Sequence, residues 1–95
     1  MSFDTQLKTE YQDKVVWVTG VGQGIGLSAA QHFAKLGAKV IGFDKHFSDT
    51  ACLYKSVQCD LAKLTELEAT LSELVAQGLV PYNLINVAGV LEFET

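Results

Sequence analysis

Thr19-Gly20-Val21-Gly22-Gln23-Gly24-Ile25-Gly26 is the stretch that decides the fold, because it sets four glycines between an apolar run and an amphipathic one. The run before it, Val15-Val16-Trp17-Val18, is apolar without alternation, as a strand covered on both faces requires. After it, Ile25, Ala29, Phe33 and Leu36 recur at helical spacing, and Gly37 supplies a residue able to close the helix. In such a strand-turn-helix unit Gly20 turns the chain sharply, Gly24 lets a pyrophosphate approach the backbone, and Gly26 brings the helix close to the sheet. The loop has no lysine or arginine. Peptide N–H groups from Thr19 to Gly26, at the positive end of the helix dipole, are therefore expected to meet the phosphates.

Working outward, Val40-Ile41-Gly42-Phe43 reads as a second strand ending at Asp44, and Ser56-Val57-Gln58-Cys59 as a third. The connection between them is too short for a full crossover helix, and a turn or two of helix is expected over Asp49 to Tyr54. Leu64, Leu67, Leu71, Leu74 and Val75 share one face of a second long helix, which Gly78 stops. Tyr82 to Val87 supplies a fourth strand, followed by Ala88-Gly89. A polar lead-in over 1–13 thus precedes a single α/β domain over 14–95. Right-handed crossovers place the strands in the order 3-2-1-4 and bring every motif to the carboxyl ends beside the point where the winding reverses.

Composition narrows the function. Eleven acidic residues face seven lysines and no arginine, for a net charge of −4, which argues against nucleic-acid binding. The first 13 residues lack a secretory pattern, and no apolar run approaches the ~18 residues that span a bilayer, so a cytoplasmic location without membrane association is expected. Cys52 and Cys59 form no C-x-x-C pair and have no histidine cluster beside them, so two reduced structural thiols and no metal site are expected. His32 and His46 stand isolated, without the partners a catalytic histidine needs.

Asp44 stands 24 residues after Gly20, at a strand end where a carboxylate can accept both hydroxyl hydrogens of an adenosine ribose. The same carboxylate repels a 2′-phosphate, a preference that the adjacent Lys45 and His46 partly offset. The G-x-x-x-G-x-G spacing differs from the commoner G-x-G-x-x-G fingerprint and resembles the T-G-x-x-x-G-x-G loop of the short-chain dehydrogenase/reductase family. Asp60-Leu61 resembles that family's adenine-reading position, although Asp60 reads equally as a helix cap. Asn86-Val87-Ala88-Gly89 resembles its N-x-A-G motif, with Val87 where asparagine or alanine is usual. The resemblance implies the N-terminal part of a Rossmann doubly wound sheet. It also implies that NAD is held by Thr19, Gly20, Gly22, Gln23, Gly24, Ile25, Gly26, Asp44, Asp60, Leu61, Asn86, Ala88 and Gly89. Three runs, from Lys14, Gly37 and Asn86, resemble the branch that oxidises a cyclic dihydrodiol to a catechol acid used in siderophores, so a small-molecule dihydrodiol is the substrate implied for a full-length relative.

The family works through a serine and a Y-x-x-x-K pair beyond the fourth strand. Here Tyr11, Tyr54 and Tyr82 are followed four places on by Val15, Gln58 and Asn86. A truncated domain with no catalytic residues and negligible activity alone is therefore expected. Its fourth strand is expected to be an uncovered apolar edge prone to self-association. A free-standing NAD-binding or interaction module is a second reading. An S-adenosylmethionine methyltransferase fragment is a third, but it calls for an acid where Thr19 stands and leaves Asn86 to Gly89 unexplained.

Overall fold

The two unbroken apolar runs form the middle of a parallel sheet. The computed structural model describes residues 10–22, 24–60 and 63–87. In chain order the elements are β1 (Val15–Thr19), α1 (Gly24–Lys35), β2 (Lys39–Asp44), β3 (Lys55–Gln58), α2 (Leu64–Ala76) and β4 (Asn83–Asn86). The strands lie in the order β3-β2-β1-β4, all parallel, as the crossover rule anticipates.

Side chains alternate across a strand, so β1 and β2 each feed two cores. Val16, Val18 and Val40 join Val21 of the glycine loop and Ala30 of α1 on one face, with Phe33, Phe47, Cys52 and Leu53 packed against them. Trp17, Ile41 and Phe43 join Leu74 of α2 on the other, with Val57, Cys59, Leu71 and Leu79 around them. Each fully buried Val, Ile, Leu or Phe in these clusters contributes about 1.5–3 kcal/mol relative to exposure. The Trp17 ring packs edge-on against Phe43 with centroids 5.5 Å apart, and its indole N–H donates to the Leu79 carbonyl at 3.0 Å. With α1 and α2 on opposite faces, the sheet is wound in both directions, which creates a crevice beside the end of β1.

Three sequence expectations change. The buried face of α1 runs through Gly26 and Ala30, while Ile25 is 79% exposed. Close approach to the sheet needs the smallest residues at the contact, so in the first turn Gly26 takes the inward position in place of Ile25, while Phe33 and Leu36 keep the expected inward face. On α2, Leu74 is buried but Val75 is 49% exposed, so Val75 lies off the packed face. No helix forms over Asp49 to Tyr54. The Asp49 carboxylate accepts the Ala51 N–H at 2.9 Å, a single turn closes from Leu53 N–H to the Thr50 carbonyl, and the Tyr54 N–H already meets Val40. A side chain that bonds its own backbone in this way competes with helix formation.

From Glu10 the lead-in packs on the domain. Tyr11 stacks edge-on against Phe33 at 5.0 Å, its hydroxyl accepts from Asn83 Nδ2 at 3.2 Å, and the Asp13 N–H meets the Gly37 carbonyl. The Tyr82 hydroxyl bonds the Glu10 carboxylate, so the start of β4 is tied to the same segment.

Candidate functional site

The register that aligns Thr19 with both Phe43 and Asn86 brings the ends of β2, β1 and β4 to one rim. There the Thr19 hydroxyl donates to Asn86 Oδ1 at 2.7 Å, joining β1 to β4 beyond their backbone ladder. On the other side, the loop after β1 folds over the end of β2. Gly20 and Val21 both direct their N–H groups to the Phe43 carbonyl, at 2.9 and 3.4 Å, and the Gly22 N–H donates to Asp44 Oδ2 at 2.8 Å.

These bonds correct the expectation that peptides from Thr19 to Gly26 all face a phosphate. Those of Gly20, Val21 and Gly22 are engaged with the end of β2. The donors at the start of α1 remain, where helix geometry leaves the first four N–H groups without intrahelical acceptors. No acidic residue lies in that first turn. Two glycines make this packing possible. A β-carbon on Gly26 would lie 1.9 Å from the Gly20 carbonyl oxygen, and one on Gly22 would lie 2.1 Å from that of His46 and 2.7 Å from the Asp44 carboxylate.

Asp44 itself is half-buried. Its Oδ1 accepts the Lys45 N–H at 2.7 Å while Oδ2 takes the Gly22 N–H, so both oxygens are oriented by the backbone. A cavity of about 300 Å³ opens beside it, lined by Gly22, Asp44, His46, Phe47 and Ser48. A second, of about 610 Å³, lies across the end of β3 and is lined by Lys45, His46, Gln58, Cys59, Asp60 and Lys63, among others. Lys45 and Asp60 pair across it at 3.6 Å, and Gln58 Nε2 donates to the Lys45 carbonyl at 2.9 Å. Asp60 is not the cap of α2, because Lys63 holds the N-cap position without a side-chain capping bond.

The structure therefore gathers Thr19, Gly20, Gly22, Gly24, Ile25, Gly26, Asp44, Asp60 and Asn86 along one end of the sheet. Gln23, Leu61, Ala88 and Gly89 lie outside the described residues. Burial raises the Cys59 thiol above the ordinary cysteine range, with Asp44, Asp60 and Glu66 adding to the shift, and burial does the same to Cys52. Among the described residues, no group of three His, Cys, Asp or Glu side chains could hold a metal ion, and no helix is long and apolar enough to cross a membrane. Sequence reasoning passed over Val21, fully buried within the loop, and Ser48, whose hydroxyl donates to the Gly22 carbonyl at 2.6 Å. Neither sits in a periodic element, so no pattern marked them.

Comparison with known proteins follows the same residues. A family model described as short chain dehydrogenase matches residues 14–95. The 2,3-dihydro-2,3-dihydroxybenzoate dehydrogenase of Escherichia coli is 35% identical over 82 residues, covering 86% of this chain and 33% of the relative. A short chain dehydrogenase from Leptospira borgpetersenii solved with bound NAD+ superposes with a TM-score of 0.76 at 29% identity, over 83% of this chain and 32% of that one. The ligand-free aldohexose dehydrogenase of Thermoplasma acidophilum gives 0.71 at 30% identity, over 79% and 29%. The chain spans about a third of the length of these relatives.

Proposed function

The chain belongs to the short-chain dehydrogenase family, and from that premise we propose that residues 14–95 are the NAD-binding part of an oxidoreductase. The observation that carries the reading is the placement of Asp44 against the glycine loop, 2.8 Å from the Gly22 N–H and beside an open cavity. A carboxylate offers about four lone-pair directions, and two are used by Gly22 and Lys45, which leaves acceptors for the two hydroxyls of an adenosine ribose. Lys45 is drawn toward Asp60. That supports NAD over NADP, because a 2′-phosphate beside Asp44 meets a carboxylate while the adjacent ammonium is engaged elsewhere.

The start of α1 fits a pyrophosphate on two counts. Its first turn carries no carboxylate, and a β-carbon on Gly24 would meet nothing within 4 Å, so that side of the loop is open. In this reading Gln23 to Gly26 hold the phosphates, while Thr19 and Gly20 set the loop's departure from β1. Asp60 and Leu61 hold the adenine, and Asn86, Ala88 and Gly89 line the path of the second sugar. Bound NAD supplies a ring that exchanges hydride, and this chain's residues bind and orient it. No tyrosine here is followed by lysine at the fourth place, so the chain alone is proposed to be inactive.

For a complete enzyme containing this part, the proposed substrate is a cyclic dihydrodiol oxidised to a catechol acid for siderophore synthesis in the cytoplasm. Likeness to the Escherichia coli dehydrogenase and the runs from Lys14, Gly37 and Asn86 support this. The test of the cofactor site is titration of the purified chain with NAD and NADP. Asp44→Ala removes charge-assisted hydrogen bonds worth about 1.5–3 kcal/mol, so NAD affinity should fall about 10- to 100-fold and discrimination against NADP should relax. Unchanged affinity for both would defeat the assignment.

A further inference from the structure

Beyond the residues already assigned to the cofactor, one side chain is bonded to the glycine loop from outside it. We propose that Ser48 is a positioning residue for the ribose-binding carboxylate, acting through Gly22; the proposal rests on the NAD reading above. Gly22 is held at both of its backbone groups by one short stretch of chain. Its N–H donates to Asp44 at 2.8 Å, and its carbonyl accepts the Ser48 hydroxyl at 2.6 Å and the Ser48 N–H at 3.3 Å.

The arrangement answers a specific difficulty. Glycine has the freest backbone of any residue, and a loop that orients a carboxylate through a glycine N–H is only as fixed as that glycine. Position 22 cannot be stiffened with a side chain, because a β-carbon there would lie 2.1 Å from the His46 carbonyl oxygen. Restraint has to come from outside. The Asp44 bond acts on the N-terminal side of Gly22 and the Ser48 bonds on its C-terminal side, so the residue is fixed at both. Phe47, packed against the Val16 cluster, anchors the segment that presents Ser48. Ser48 itself is exposed at the rim of the cavity it lines with Gly22 and Asp44. Its hydroxyl therefore acts on the loop and not on the core.

A carboxylate held in advance loses less freedom when ribose hydroxyls arrive. Ser48→Ala leaves the Gly22 carbonyl with the longer N–H bond alone and should weaken NAD binding about twofold to tenfold, the range expected for one neutral hydrogen bond. Ser48→Thr, which restores a hydroxyl, should recover most of the loss. On an Asp44→Ala background Ser48→Ala should have no further effect, because the group it positions is gone. Because the bond is made without ligand too, the thermal midpoint of Ser48→Ala should fall only slightly, and exchange of the Gly22 amide proton, followed by NMR without ligand, should quicken. Full NAD affinity in Ser48→Ala overturns the proposal, as does a loss that persists undiminished without Asp44. A wild-type chain that binds no NAD overturns the cofactor reading instead. The Gly22 amide then decides alone, and unchanged exchange in Ser48→Ala rejects the clamp.

Discussion

The two flanks of β1 are joined to it by different means. On the β2 flank, five residue pairs run in register from Val15–Lys39 to Thr19–Phe43, and both strands are buried through their centres. The ladder then continues into the glycine loop through the Phe43 carbonyl and the Asp44 carboxylate. On the β4 flank there are four pairs, burial alternates, and the side-chain tie is between Thr19 and Asn86. Leu84, in register with Trp17 and so on the α2 side of the sheet, is 53% exposed, and Val80 and Tyr82 nearby are similarly open. The side of the crevice proposed to take the adenosine is thus assembled from parts that pack on one another. The side where the second sugar would lie rests on an edge strand whose outer backbone groups face away from the sheet.

The severest way to break the β2 flank is to fill the contact between α1 and the loop. Gly26→Val places a β-carbon where the Gly20 carbonyl oxygen stands. With backbone on both sides, no flexible side chain can yield. Overpacking of this kind costs about 1–3 kcal/mol, and the displaced loop should also lose Asp44. Denaturant titration should show the loss of stability, and NAD titration should show binding abolished. Retention of both would mean that α1 can move outward without disturbing the site.

The β4 flank should respond in the opposite sense. Leu84→Lys puts a charge on an exposed edge where it costs little stability and opposes strand pairing between molecules. Sedimentation of the wild-type chain should reveal concentration-dependent association, and the variant should be shifted toward monomer with NAD affinity intact. A wild-type chain that melts sharply, independently of concentration, would show that the edge needs no cover.

The same contrast decides how much could be read from residues alone. Val15 to Val18 and Val40 to Phe43 announce buried strands because neither face is polar, and glycines between strand and helix mark the turn whatever lies further on. Strand order then follows from handedness. The helix face was harder: Gly26 carries no apolar side chain for a pattern to count, yet it is the point of closest contact, so Ile25 appeared to face inward when it faces out. Asp44 was legible as the last residue of a strand. Its tie to Gly22 and the part played by Ser48 were not, because they depend on how an irregular loop folds back over a strand end, and no spacing in the chain records that.

Cys59 offers the mildest probe, one that separates the proposed adenosine side from the rest. It lines the cavity with Lys45 and Asp60, whereas Cys52 packs against the Val16 cluster on the other face. Burial, reinforced by Asp44, Asp60 and Glu66, keeps the Cys59 thiol protonated to higher pH than in the unfolded chain. The native state therefore holds a proton that the unfolded state releases. The resulting stabilisation is complete below the unfolded cysteine pKa of about 8.5 and is lost as pH rises through the higher folded value. Cys59→Ala should flatten the decline of stability above that pH by a small margin. Alkylation at pH 8 should be slower for folded Cys59 than for the unfolded chain, because the thiolate is the nucleophile. Saturating NAD should slow it further while leaving Cys52 unchanged. Equal protection of both thiols would point to general tightening of the fold, and the adenosine side would then no longer be separable from the core that supports it.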